Sequence, residues 1–441
     1  MARPDPMAQN RLATHQGFRR YFFNTSWMFG EQVLRILAGL FVGIYVARYL
    51  GPGQFGVYSY AIAFVALFGT IAKLGLDGIV VRDLVNHPEE RDAYLGTAFW
   101  LKLIGGLLTL SLLAIAVQFT GNDAMTNLYI FIIGSGLIFQ SFDVVDSYFQ
   151  SKVLSKYVSI AKLIQLALSS VLKLYFIFTQ ADLLWFVLVS LIDQVTLALS
   201  LAFAYWRQKI GGFWGRFEIV TAKAMLKNSW PLILSGVAVM LYMRIDQIMI
   251  KEMLGEREVG LYSAAVRLSE AWYFVPAIIT TSLFPAIVNA KKTSEDLYHA
   301  RLQRLYTTLV WLAIAIAVPM TFLSDWLITL LYGEAYKDAG QVLIIHIWAG
   351  VFVSMGVASG SWFTSENLQR YAFYRASLGA MINIIFNLLL IPNFGLIGAA
   401  IATVIAQSMA AFFFDVLTKK TRVVFYMKLK TLYFANLIQR V

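Results

Sequence analysis

Apolar runs follow one another along this chain from residue 24 to residue 418 and leave little else. Twelve can be separated, at roughly 24–48, 57–80, 94–119, 126–150, 156–179, 183–206, 230–252, 259–289, 304–323, 341–364, 371–391 and 395–418. Each is long enough to cross a hydrocarbon core of roughly 30 Å as a helix. A segment in lipid must satisfy its own backbone N–H and C=O groups, and the runs lack the strict alternation of barrel strands. Composition agrees, with 59% apolar and 14% charged residues, where soluble proteins carry roughly a quarter charged. The chain is therefore expected to be an all-α polytopic membrane protein. It has no cysteine, which excludes disulfides, thiolate metal sites and cysteine nucleophiles. The first run is too long for a signal-peptide core and shows no small-residue cleavage site, so it reads as a span.

Charge sets the orientation. Of the 36 Lys and Arg residues, 24 lie in the N-terminal segment, the even-numbered connections and the tail. The odd-numbered connections hold only Lys251, Arg257 and Lys337. The positive-inside rule places both termini in the cytoplasm. An even number of spans is needed to keep that alternation. The same confinement to one face explains the basic loops without nucleic acid, which is not an expected partner. The segment "SDWLITLLYGEAYKDAG" is too short to cross and is expected to form an interfacial helix.

Two stretches nearly repeat. Leu50 to Ala61 reads "LGPGQFGVYSYA" and Leu254 to Ala265 reads "LGEREVGLYSAA", identical at six of twelve positions and 204 residues apart. Both fall at the outer entrance of the second span in their half, so the halves share an orientation, as in parallel internal repeats. The expected organisation is a cytoplasmic segment 1–23, an N-lobe 24–206, a cytoplasmic linker 207–229, a C-lobe 230–418 and a basic tail 419–441 lying on the anionic inner leaflet.

Charges inside the spans mark where function could reside. A charged side chain at the bilayer centre costs at least about 2.5–3.5 kcal/mol, so it normally faces a cavity or a partner. Counting along the helices at about 1.5 Å per residue places Arg35, Asp193, Arg267 and Glu270 near the midplane. Lys102 and Lys162 lie somewhat shallower. Lys73, Asp77, Asp143, Asp146, Lys173 and Arg375 lie nearer an interface, where snorkelling is expected. Glu31 with Arg35, and Lys73 with Asp77, sit four apart and can neutralise each other along one helix. Ser263, Arg267 and Glu270 form a stripe with Pro276 just beyond, where a kink is expected. Polar stripes Gln140, Asp143, Ser147, Gln150 and Lys162, Gln165, Ser169, Lys173, and the pair Asn383 and Asn387, fit interhelical contacts or a shared water-filled cavity. Arg35, Lys102, Lys162, Arg244 and Arg267 outnumber Asp193, Asp246 and Glu270, so the expected cavity is cationic and its ligand anionic. His346 reads as a helix-packing residue, and no metal-ligand spacing links it to the other histidines. "GVASGSWF" lacks the Lys-Ser/Thr of a phosphate loop and reads as close helix packing.

With those residues in hand, a resemblance can be stated. "LGPGQFGVYSYA", "GLYSAAVRLSEAWYFVPAIITTSLFPAI" and "NLLLIPNFGLIGAAIATVIAQ" resemble polysaccharide transporters of the multidrug/oligosaccharidyl-lipid/polysaccharide (MOP) superfamily, and most of all its O-antigen flippase branch. The resemblance runs from about Arg19 to Lys420. It implies two pseudo-symmetric six-helix lobes of MATE-like fold in the bacterial cytoplasmic (inner) membrane. It also implies transfer of an undecaprenyl-pyrophosphate-linked oligosaccharide, such as an O-antigen unit of lipopolysaccharide, from the inner to the outer leaflet by alternating access. Arg35, Arg267, Lys102, Lys162 and Arg244 would then meet phosphate and acidic sugars. Glu31, Asp193, Glu270 and Asp246 would balance those charges or bind a coupling proton or Na⁺. No other cofactor is expected. Partners would be the lipid-linked oligosaccharide, membrane lipids and a glycan polymerase with its chain-length machinery. Lipid II flippases carry two further spans, so that branch is not expected. The alternatives are a MATE-like efflux transporter of small molecules, which should favour an acidic cavity, and a membrane glycan polymerase or ligase, which usually needs a long outer loop. The expected protein is a transporter and not an enzyme.

Overall fold

The computed structural model describes the backbone of residues 6–366 and 368–432, and the side chains of residues 26–366, 368 and 370–432. Residues 1–5 of the N-terminal segment and 433–441 of the tail lie outside the described residues. Helices account for nearly everything: α1 (Pro6–Lys73), α2 (Asp77–Asn86), α3 (Arg91–Ala116), α4 (Ala124–Ser135), α5 (Asp143–Ser151), α6 (Ser155–Phe178), α7 (Leu183–Arg207), α8 (Ile219–Met253), α9 (Glu256–Glu270), α10 (Phe274–Thr293), α11 (Glu295–Tyr332), α12 (Ala339–His346), α13 (Ala349–Ser365), α14 (Gln369–Ala411) and α15 (Arg422–Leu432). No strand occurs among the described residues.

Ten segments among the described residues are long and apolar enough to cross a membrane. Two of them, Ser26–Asn86 with 61 residues and Arg370–Val416 with 47, each have the length of two crossings, which need about 20 residues apiece. The backbone leaves helical geometry inside each, at Gly51 (φ 69°, ψ 168°) and at Gly395 (φ 56°, ψ −135°). The first break falls in the gap expected at 49–56, and the second lies one residue past the gap expected at 392–394. Ten continuous segments thus accommodate twelve crossings. Local capping sets other ends. The Asp123 carboxylate accepts from Thr126 N (2.9 Å) to start α4, and Ser294 Oγ accepts from Leu297 N (3.3 Å) to start α11.

The chain forms two compact units. The first contains residues 1–43 and 68–233, and the second contains 44–67 and 234–441. The core of the first unit gathers Leu76, just before α2, with Val80, Leu95, Ala98, Phe149, Leu201 and Tyr205 from α2, α3, α5 and α7. Phe213 of the connection to α8 is also fully buried there, so this connection is packed and not free. The core of the second unit is built by α10, α11 and α13, with Tyr298, Leu302, Tyr306, Ala358 and Phe363 at its centre. "GVASGSWF" lies in α13, where Ala358, Trp362 and Phe363 pack as expected.

Two local expectations need correction. The interfacial segment does not form a helix of its own. Its first nine residues continue α11 to Tyr332, and a single 3₁₀ turn, Glu334–Tyr336, follows. Continuing the helix keeps backbone hydrogen bonds satisfied past the end of the apolar run. Pro276 does not kink a continuous helix either. α9 stops at Glu270, and Pro276 sits in the first turn of α10, where its missing N–H costs nothing. In the tail, α15 packs one face on the core of the second unit and leaves Val423 and Tyr426 exposed on the other. Val424 is fully buried and Met427 nearly so against the α11 core, and Trp311 Nε1 donates to Thr431 O (3.1 Å).

Candidate functional site

In the first unit, polar side chains from six elements line a cavity of about 320 Å³. α1 supplies Arg35 and Lys73, and α2 supplies Asp77. The 3₁₀ turns Gly136–Phe142 supply Gln140, and α5 supplies Asp143, Asp146, Ser147 and Gln150. Lys162 and Gln165 come from α6, and Gln194 from α7. All four residues of the expected Gln140–Gln150 stripe therefore face one space. Helical spacing put them on one face, and tertiary packing turned that face inward.

The charges of this cavity are paired. Lys73 Nζ lies 3.5 Å from Asp143, and Lys162 Nζ lies 3.2 Å from Asp146. Lys102 Nζ, 1% exposed, is bound to Asp77, which is 52% exposed. Arg35 Nε is 2.9 Å from Glu31. Gln150 Nε2 donates to Asp146 (2.7 Å). A charge removed from water needs a partner of opposite sign, and each of these has one. Asp193 stands slightly apart. Lys173 Nζ is 3.6 Å from it, Ser169 Oγ donates to its carboxylate (3.0 Å), and Gln165 Nε2 donates to its main-chain oxygen (2.9 Å).

Two expectations fail here. Lys73, Asp77, Asp143 and Asp146 do not snorkel outward but line the cavity. Nor do Lys73 and Asp77 form a pair along one helix. Leu74 and Gly75 both have positive φ (52° and 61°), so α1 ends before α2 begins and the two side chains find other partners. The signal was present in "KLGLD", where a glycine inside an i, i+4 spacing warns of a helix end.

The second unit holds a separate cluster around Asp246 of α8, which is 4% exposed. Tyr262 OH of α9 donates to its carboxylate (2.8 Å), as do Asn387 Nδ2 (2.7 Å) and Thr403 Oγ1 (2.6 Å) of α14. Asn387 Nδ2 also reaches Asn383 Oδ1 (3.1 Å). The adjoining space, about 10 Å³, is bounded in part by Tyr242, Glu270, Tyr273 and Gln407. It has the size of one water or one small cation. Its lining of oxygen atoms includes two carboxylates, Asp246 and Glu270, which suits a proton or a small cation, and no cluster of three or more His, Cys, Asp or Glu that could hold a metal ion occurs among the described residues. Nearby, Arg244 lies 3.3 Å from Glu270. The Arg267 guanidinium sits 5.6 Å from the centre of the Phe55 ring. His346 Nδ1 is 2.8 Å from Ser269 Oγ, the packing role expected of it.

The nine sequence-selected residues thus divide. Arg35, Lys102, Lys162, Glu31 and Asp193 belong to the first unit, and Arg244, Arg267, Asp246 and Glu270 to the second. Tyr262 and Thr403, which complete the Asp246 cluster, were not selected. Tyr262 had a visible signal, because it lies in the repeated stretch opposite Tyr58. Thr403 had none.

Residues 22–291 match a family profile described as "Polysaccharide biosynthesis protein", and residues 262–439 match one described as "Lipid II flippase MurJ". A capsular polysaccharide biosynthesis protein, CapF of Staphylococcus aureus, is 22% identical over 88% of this chain and 96% of its own length. A probable flippase, AglR of Haloferax volcanii, is 24% identical over 87% of this chain and 80% of its own. An inward-facing multidrug resistance MATE family transporter of the MOP superfamily superposes with a TM-score of 0.71, covering 90% of this chain and 96% of that one at 17% identity. The lipid II flippase MurJ in an inward closed conformation gives 0.68, covering 93% and 91% at 16% identity. The fold is that of the MOP superfamily, and the chain belongs to the polysaccharide biosynthesis protein family.

Proposed function

We propose that this protein is a flippase for lipid-linked polysaccharide precursors, carrying an undecaprenyl-pyrophosphate-linked oligosaccharide from the inner to the outer leaflet of a bacterial cytoplasmic membrane by alternating access. The observation that carries this reading is the cavity of the first unit. A space of about 320 Å³, lined almost entirely by carboxylates, amines and amides, sits within a chain otherwise built for lipid. Amides and carboxylates are donors and acceptors suited to sugar hydroxyls. The basic residues suit phosphate and acidic sugars. Arg35 is 47% exposed, and its guanidinium has donors enough to meet a phosphate while it stays beside the buried Glu31. The Asp246 cluster is the candidate for a coupling proton or Na⁺, and Arg244 and Arg267 add positive charge in the second unit. The relatives named polysaccharide biosynthesis protein and probable flippase support the reading.

The test is glycan display in a strain whose only copy carries Arg35→Ala and Arg267→Ala together. Loss of display with normal protein levels is expected, and normal display would remove these residues from the mechanism. A second reading, efflux of cationic small molecules, draws on the three carboxylates among the charges lining the same cavity, Asp77, Asp143 and Asp146. Drug accumulation that falls when the protein is expressed would favour it.

A further inference from the structure

A second opening lies beside the polar cavity of the first unit and has the opposite character. Ser26, Trp27, Gly30, Glu31 and Leu34 of α1 and Leu163 of α6 bound a slot of about 240 Å³. Its walls are mostly apolar and exposed, with Trp27 39% and Leu34 52% exposed. A Cβ placed on Gly30 would meet nothing within 4 Å, so the slot is open at that level. Both helices belong to candidate membrane spans, so an apolar opening between them suits a lipid chain.

The slot is joined to the polar cavity by one ion pair. Glu31 bounds the slot with a side chain only 6% exposed, and its partner Arg35 lines the cavity. Spacing on α1 explains the arrangement. Ser26, Gly30 and Leu34 repeat every four residues along one face, and Trp27, Glu31 and Arg35 repeat along the next. On α6, Leu163 faces the slot while its neighbour Lys162 faces the cavity. Basic charge also marks the near end, where exposed Lys156 places its Nζ 5.5 Å from the centre of the Trp27 ring. An apolar slot leading to a polar cavity, with Lys156, Arg35 and Lys162 along the way, has the chemistry of an amphiphile whose anionic group joins tail to head.

We infer that the slot between α1 and α6 seats the phosphate-proximal part of the isoprenoid tail while the headgroup occupies the polar cavity, and that the lipid phosphate shares Arg35 with Glu31 as it enters. This rests on the flippase reading and adds the route of loading. Ser26 to Leu34 spans about 12 Å of helix, so the slot holds only the first part of a long tail and leaves the rest in lipid.

The chain has no cysteine, so single cysteines report cleanly. Gly30→Cys and Leu163→Cys place a thiol in the slot. Val171→Cys and Leu199→Cys, at positions 63% and 64% exposed, place one on surfaces away from it. Full-length protein in lipid nanodiscs is labelled with a membrane-permeant maleimide, with added undecaprenyl monophosphate or an equal mole fraction of phosphatidylglycerol. At about twice its Kd the polyprenyl phosphate should slow labelling of both slot cysteines about threefold and leave the other two unchanged. Equal protection by phosphatidylglycerol, equal protection at the distant sites, or no protection would overturn the assignment. The two readings fail separately. Protection of the slot in a protein that moves no glycolipid in proteoliposomes would sink the flippase reading and keep the slot. Undiminished glycolipid transfer by Gly30→Trp, which fills the opening, would sink the slot and keep the flippase.

Discussion

Gly56 and Gly260, aligned by the internal repeat, pack against each other in the second unit. A Cβ on Gly56 would overlap the carbonyl oxygen of Glu256 and lie 3.0 Å from Gly260 N. A Cβ on Gly260 would overlap the carbonyl oxygen of Pro52 and lie 3.1 Å from Gly56 N. The two copies of the repeated stretch therefore cross backbone to backbone, each supplying the glycine that the other requires. The preceding aligned glycines, Gly51 and Gly255, both have positive φ (69° and 114°), which lets each copy turn into its second span. Only small residues permit such an approach between helices in lipid.

Substituting Gly56→Ala or Gly260→Ala is expected to destabilise the protein by about 1–3 kcal/mol, because backbone and not a flexible side chain must move. Gly30→Ala, whose added methyl meets open space, should cost nothing and gain up to about 1 kcal/mol of helix propensity. Thermal unfolding in detergent, followed by tryptophan fluorescence, checks this. Equal melting temperatures for all three variants would remove the crossing as a structural requirement.

Lys102 and Asp77 should respond unequally to loss of their partner. Lys102 is 1% exposed and Asp77 is 52% exposed. Asp77→Asn leaves a buried ammonium without its counter-charge, at a cost of about 3 kcal/mol. Lys102→Met leaves a carboxylate that water can reach and puts an apolar chain of similar length in a buried place, so its cost should be smaller. The same unfolding measurement compares them, and the reverse order would contradict the burial assigned to the pair.

Asp246→Asn separates coupling from folding. The Tyr262 and Thr403 hydroxyls can turn to accept from the new amide, so the cluster can remain bonded. Melting temperature should change by only a few degrees, corresponding to about 1 kcal/mol. Glycolipid transfer in proteoliposomes should lose its response to an imposed Na⁺ or pH gradient. A variant that keeps the wild-type gradient response would exclude Asp246 as the coupling group.

The tail helix carries a pH signature. Lys428 and Asp415 are both fully buried and bound to each other, and Lys428 Nζ also donates to Ala411 O (2.6 Å). Burial pushes the Lys428 ammonium down to about 8, with Asp415 opposing the shift. The unfolded chain holds this proton up to its ordinary value of 10.5, whereas the folded chain releases it near 8. Between those values the unfolded state binds more protons, so this group makes stability rise with pH across that window and contributes no slope below it. Lys428→Met alone should destabilise by about 3–5 kcal/mol by stranding Asp415, and Lys428→Met with Asp415→Leu should recover most of the loss. The double variant should also lose the rise between about pH 8 and 10.5. A wild-type slope retained in the double variant would assign it to another group.

The membrane spans and their turning points were legible in the sequence. Whether a segment suits lipid depends on its own residues, so the gaps between apolar runs located the breaks at Gly51 and, to within one residue, at Gly395. Aligned glycines and helical stripes were legible for the same local reason. Partners were not. Lys73 meets Asp143, Lys102 meets Asp77 and Lys162 meets Asp146, because each helix is rotated and placed by all the helices packed around it. An expected excess of free positive charge became a set of ion pairs once those neighbours were in place. The repeat shows the same division. That Gly56 and Gly260 correspond, and that each lies at the mouth of a span, can be read from residues alone. That they touch cannot be read so, since two residues 204 positions apart come together through the packing of the helices between them.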